Sequence, residues 1–242
     1  MKNCNESLNA NRTNTGKIFV GILVFGSVWG LLDAISVAYF APFFHIRHLC
    51  LCPLTVVIFG FFLMTIALNI YKKPIMLIGI GLIAASFKLL NFAIVPLPVV
   101  NGYVAYQPVV NPALAAFVAS VVYALFVSLL MNKMERNIFI RIITGALAGF
   151  ISVVFFVYAA FYLTNTHPLI VDTPIQYLFP FEGPVTAFLG AIFLPLGYLA
   201  GIKFQYRNIF LPVKKQWLYY ITACFIVVAC IGLSTLVLTY RS

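Results

Sequence analysis

The chain has 242 residues, 63% of them hydrophobic and 8% charged, with a mean hydropathy of +1.06 and a net charge of +10. Soluble domains carry roughly 25% charged residues, so this composition excludes a water-soluble globular protein and points to an integral membrane protein. The basic excess raises nucleic-acid binding as a question, which the placement of the charges answers below.

In chain order, residues 1–17 read as a short cytoplasmic tail and residues 18–242 as a single transmembrane helical bundle. Seven apolar segments follow one another: Ile18–Phe40, Pro53–Tyr71, Ile75–Val95, Pro112–Met131, Ile140–Leu163, Pro184–Ile202 and Trp217–Thr239. Each is near the roughly 20 residues that an α-helix needs to cross about 30 Å of hydrocarbon. The fold class expected is all-α, a polytopic bundle of about seven transmembrane helices. Pro53, Pro112 and Pro184 each open a segment, as proline does at the first helical position, where its missing N–H would be orphaned anyway. Asn111 and Gly183 are then the expected N-caps. The first segment has 23 residues, beyond the 7–15 or so of a signal-peptide core, and reads as a retained helix.

Twelve of the fifteen Lys and Arg residues fall on the tail and on alternate connections: Lys2, Arg12 and Lys17; Lys72 and Lys73; Lys133, Arg136 and Arg141; Lys203, Arg207, Lys214 and Lys215. The opposite side has only Arg47 and Arg241, while Lys88 lies inside a segment. This asymmetry is the positive-inside bias. It puts the N-terminus in the cytoplasm and the C-terminus outside, and assigns the charge to topology, with lipid and not nucleic acid as the partner.

The first segment contains "GSVWGLLDAISVAYF", with Asp33 amid apolar residues. Asp33 lies 15 residues past Ile18, about 22 Å along the axis at ~1.5 Å per residue. Lys88 lies 13 residues past Ile75, about 20 Å into a helix that enters from the same side. The two opposite charges share one level, and each alone would be costly there. They are expected to pair. The pair either fixes helix register or lines a polar cavity, and intramembrane ionisable groups mark functional sites by default. Trp29, one turn below Asp33, and Asn91, three residues after Lys88, are expected on the same faces. Asn111, capping a helix whose positive dipole end faces outward, would favour an anionic ligand group. Gly26, Gly30, Ala34 and Ala38 recur every four residues, a small-residue stripe that lets a helix approach closely. Its partner is either another helix of the bundle or a separate subunit.

Two outer connections, 96–111 and 164–183, exceed the usual 2–8 residues between helices. They are apolar and aromatic, which suits lids folded over an outward-facing pocket, with Tyr103, Tyr106, Gln107, Asp172 and Glu182 as contributors; the alternative is a position at the headgroup level. The outer link "HIRHLCLC" brings together His45, His48, Cys50 and Cys52, ligand types suited to zinc, nickel or copper. Their spacing matches no known zinc module, so they are a weak metal site at most. No phosphate loop, G-x-S-x-G, H-E-x-x-H or C-x-x-C occurs, and the five acidic residues are Glu6, Asp33, Glu135, Asp172 and Glu182. No cofactor and no catalytic residue is expected, and the chain reads as a non-enzyme.

Three stretches, "GSVWGLLDA", "YKKPIMLIGIGLIAASFKLLN" and "VVNPALA", resemble the substrate-binding membrane subunits of energy-coupling factor (ECF) transporters. That resemblance implies a six- or seven-helix bundle in a prokaryotic plasma membrane. Such a bundle binds a vitamin or vitamin precursor from outside and docks on a transmembrane coupling subunit driven by two ABC-type ATPases. The docking surface would be the stripe at Gly26, Gly30, Ala34 and Ala38. Lys2 stands where nickel- and cobalt-binding members present a histidine, which points away from a metal solute. Two other readings remain: a membrane assembly or scaffold protein with a structural Asp33–Lys88 pair, and a metal-dependent intramembrane enzyme built on the His/Cys link.

Overall fold

The computed structural model describes residues 2–39, 54–90, 99–100, 103–104, 107–164, 182–206 and 216–240. Seven helices appear among them: α1 (Lys2–Tyr39), α2 (Phe62–Tyr71, entered through a π-helical stretch, Val56–Phe61), α3 (Met76–Leu89), α4 (Gln107–Arg136), α5 (Ile138–Thr164), α6 (Gly183–Tyr206) and α7 (Gln216–Thr239). A two-residue hairpin, β1 (Val99–Val100) and β2 (Tyr103–Val104), pairs antiparallel between α3 and α4. The protein is an all-α helical membrane bundle. Stretches within α1, α4, α5, α6 and α7 are long and apolar enough to cross a bilayer.

The other two described helices agree with the sequence where they can be compared: helical winding runs from Leu54 to Tyr71, and α3 starts at Met76, one residue after the expected start. The π stretch and α2 together take six and ten residues, and α3 has 14, about 21 Å at ~1.5 Å per residue. The expected end at Tyr71 has an explicit physical cause. α2 stops because Lys72 turns left-handed (φ 54°) while its N–H bonds the Leu68 carbonyl, and Pro74 sits in the turn leading to α3. Of these two expected segments, Pro53 and residues 91–95 lie outside the described residues. At the other end of the chain, α1 runs unbroken from Lys2, so the backbone of the expected tail continues the first helix.

α2 forms the centre of the bundle. Every residue from Leu63 to Asn69 is buried, and α2 packs against α6, α1 and α3. A continuously buried helix needs close neighbours, and glycines supply the approach. A Cβ at Gly197 would lie 2.6 Å from the Phe62 carbonyl oxygen, and one at Gly201 would lie 2.8 Å from Asn69 Cβ. Gly145 and Gly190 bring the α5 and α6 backbones into direct contact, a crossing of the small-residue type. α7 packs chiefly on α1, and Phe225, Val228 and Leu236 on it are exposed. Exposed Phe155, Leu129 and Phe188 on other helices complete an apolar outer surface suited to lipid contact.

Two capping expectations need correction or refinement. Asn111 is not an N-cap: α4 begins at Gln107, so Asn111 lies within the helix and half-buried. Pro108 occupies the first turn instead, where a proline loses no needed donor, and Pro112 falls inside the helix. The helix start at Gly183 agrees with the sequence to within the residue or so that helix boundaries allow.

Candidate functional site

Asp33 and Lys88 form a salt bridge between α1 and α3, with side chains 2% and 7% exposed. Three helices build this site. α1 supplies a short carboxylate from within its last two turns. α3 supplies the ammonium from its last turn, where the negative end of the helix dipole favours a cation. Thr55, immediately before the π stretch, donates its hydroxyl to Asp33 Oδ1 at 2.5 Å. Both carboxylate oxygens therefore have a donor, as a buried charge requires. Among the described residues, Lys88 Nζ pairs with Asp33 alone.

Trp29 lies one turn back from Asp33 on α1 and is fully buried. Its ring sits on Gly60 of the π stretch, where a Cβ would be 2.5 Å from Trp29 Cζ2. Glycine at 60 thus makes room for the indole. The indole Nε1–H has no hydrogen-bond partner among the described residues, and an unmet buried donor costs about 1–3 kcal/mol. The π stretch carries Gly60 and follows directly on Thr55, so one local irregularity in helix winding serves both contacts.

The stripe on α1 meets α3. A Cβ at Gly26 would approach Ile83 Cβ to 2.6 Å, and one at Gly30 would approach Phe87 Cγ to 2.5 Å. The sequence left open whether this stripe seeks a helix of the bundle or a separate subunit; at Gly26 and Gly30 it is occupied by α3. Ala34 is half-buried, and the side chain of Ala38 lies outside the described residues. Glu182 is buried at the start of α6. Tyr103 is on β2 and Gln107 opens α4. Asn91, Tyr106, Asp172, His45, His48, Cys50 and Cys52 lie outside the described residues. Among the described residues no group of three or more metal-ligating side chains occurs.

Two polar features escaped the sequence reading. One is Thr55, whose position two residues after Pro53, at the same end of its segment as Asp33, was the available signal. The other is a buried set along α2: Thr65 Oγ1 bonds the Phe61 carbonyl at 2.6 Å and meets the Tyr123 hydroxyl at 2.7 Å, while Asn69 Nδ2 donates to the Thr65 carbonyl at 3.0 Å. Thr65 and Asn69 are spaced i, i+4, which puts them on one face of a helix.

The far end of the bundle is built differently. Lys72 and Glu135 pair at 2.6 Å, each 42% exposed. Arg141 Nε donates to the Met134 carbonyl at 2.5 Å, satisfying the end of α4, and its guanidinium stacks 3.6 Å above the Tyr198 ring. These groups suit a water-facing helix end.

No family model matches the chain, and no curated protein and no solved structure matches it.

Proposed function

We propose that the protein is the solute-binding membrane subunit of an uptake system. It takes a small vitamin-like molecule or precursor from the outer side and passes it to a separate transmembrane coupling subunit powered by ABC-type ATPases. The observation that carries this reading is the buried Asp33–Lys88–Thr55 cluster with the unmet Trp29 N–H beside it. Four polar groups within about one helical turn of each other in an apolar bundle are expensive, and such groups inside membranes typically mark a substrate path. In this reading the chain binds and does not catalyse. It sits in a prokaryotic plasma membrane with the N-terminus inside; the orientation is supported by Lys72, Lys133, Arg136 and Lys203, at helix ends opposite the cluster.

Native mass spectrometry of protein gently extracted from its own membranes tests the reading. A bound small molecule is expected on the wild type and lost in Asp33→Asn. Wild-type protein that carries no adduct and is as well folded as the variant contradicts it. The orientation is checked by a membrane-impermeant thiol reagent on intact cells: single-cysteine variants retaining Cys50 or Cys52 are labelled and one retaining Cys4 is not. Labelling of Cys4 alone reverses the topology.

A second reading has its own observation. Gly26 and Gly30 seat α1 on Ile83 and Phe87 of α3, the same two helices that the ion pair joins. A membrane assembly protein that needed only a fixed α1–α3 register would be built this way.

A further inference from the structure

The cluster is asymmetric, and the asymmetry names a class of solute. Asp33 is the fixed partner: its side chain is short and Thr55 holds its second oxygen at 2.5 Å. Lys88 is the movable partner. Its ammonium stands on a four-carbon stem in the last turn of α3, and among the described residues it is held by Asp33 alone. Such a stem at a helix end can carry its charge toward the headgroup region. Of the two, Lys88 is the one whose charge a flexible stem could carry away, and Asp33 the one held in place by Thr55. Once Lys88 has moved, a buried carboxylate remains that must be neutralised. Trp29, one turn back on α1 and fully buried, carries an N–H donor with no partner among the described residues.

Resting on the solute-binding reading above, we infer that Asp33 is the anchoring carboxylate for a compact organic cation, a primary ammonium compound, and that Lys88 is a tethered stand-in occupying the carboxylate when the site is empty. The entering ammonium takes over the ion pair with Asp33 and the acceptance of no proton is required. Trp29 supplies a ring surface of the kind that attracts cations and an N–H for an acceptor atom elsewhere on the solute. A net anion is disfavoured, because its binding to Lys88 would strand the Asp33 charge.

The probe is n-butylammonium, which matches the lysine stem and head, with n-butanol and butyrate as neutral and anionic counterparts. The protein has two tryptophans. Trp217 is exposed at the start of α7, so Trp217→Phe leaves Trp29 as the sole tryptophan, read by selective excitation at its red edge in lipid nanodiscs. Saturable n-butylammonium binding is expected, at least tenfold tighter in Lys88→Met, where the tethered competitor is gone, and abolished in Asp33→Asn. n-Butanol and butyrate should have no effect. Should Lys88→Met fold poorly, its thermal stability gives the same comparison: n-butylammonium restores it and the two counterparts do not. Butyrate binding in place of n-butylammonium overturns the inference, as does the lack of any n-butylammonium response in both wild type and Lys88→Met. A small-molecule adduct that persists in native mass spectra despite either result leaves the solute-binding reading standing and removes only the cation.

Discussion

Two ion pairs of the same chemistry stand at opposite ends of this bundle and differ in everything that water decides. Lys72–Glu135 joins exposed side chains at a helix end, each 42% accessible. Asp33–Lys88 joins side chains that are 2% and 7% accessible. An exposed pair gains little over two hydrated ions, about 0–1 kcal/mol, and salt screens it. A buried pair faces a desolvation cost that its mutual attraction need not exceed, yet removing one partner strands a charge. The first pair is dispensable by this logic, while the second can be removed only as a unit. Its retention inside an apolar bundle fits the solute-binding role proposed above and equally a fixed register between α1 and α3, and the variants below separate the two.

The largest effect that sharpens this comparison is expected for Lys88→Met. Stranding Asp33 should lower stability by about 3–5 kcal/mol, read as a fall in the midpoint of thermal unfolding in a fixed detergent. A change below about 1 kcal/mol would place the buried pair in the same class as the exposed one.

Thr55→Val comes next. It removes a charge-assisted hydrogen bond with little change in shape, and about 1.5–3 kcal/mol is expected by the same measurement. The loss should be smaller in an Asp33→Asn, Lys88→Met background, because the hydroxyl then donates to a neutral amide oxygen and not to a carboxylate.

Gly30→Leu forces a side chain into the ring of Phe87, and overpacking of this kind costs about 1–3 kcal/mol. Because the contact is with α3, stability should fall whether or not any other protein is present. Unchanged stability combined with a lost association with a coupling subunit would instead make the stripe an external docking surface.

The smallest effect is Lys72→Gln, at most about 1 kcal/mol and diminishing as salt is raised. A large, salt-independent loss would break the contrast between the two ends.

How much of this was legible in the sequence depends on the kind of information involved. The pairing of Asp33 with Lys88 followed from counting residues along two helices that enter from the same side, because helical rise turns sequence distance into depth. The bundle itself followed from segment length and composition. Thr55 was missed because its approach to Asp33 depends on how α1 and α2 pack, and a threonine near a helix start reads equally well as a local cap. The π-helical winding of Val56–Phe61 has no sequence period that distinguishes it from an α-helix. Asn111 was misplaced because two prolines, Pro108 and Pro112, both satisfy the first-turn preference, and the helix starts with the earlier one. The stripe at Gly26 and Gly30 announced a close helix contact but not its partner, which only the packing of α3 supplies.

The central claim is that the buried pair is kept for a solute and not for architecture alone. The double variant Asp33→Asn, Lys88→Met tests it most directly, measured for thermal stability and for the small molecule retained in native mass spectra. Removing both charges relieves the stranded-charge penalty of either single variant, so stability should recover most of the loss seen in Lys88→Met while the bound solute stays absent. A double variant that recovers its stability and carries the solute as the wild type does would contradict the claim and leave the pair a structural fastener between α1 and α3.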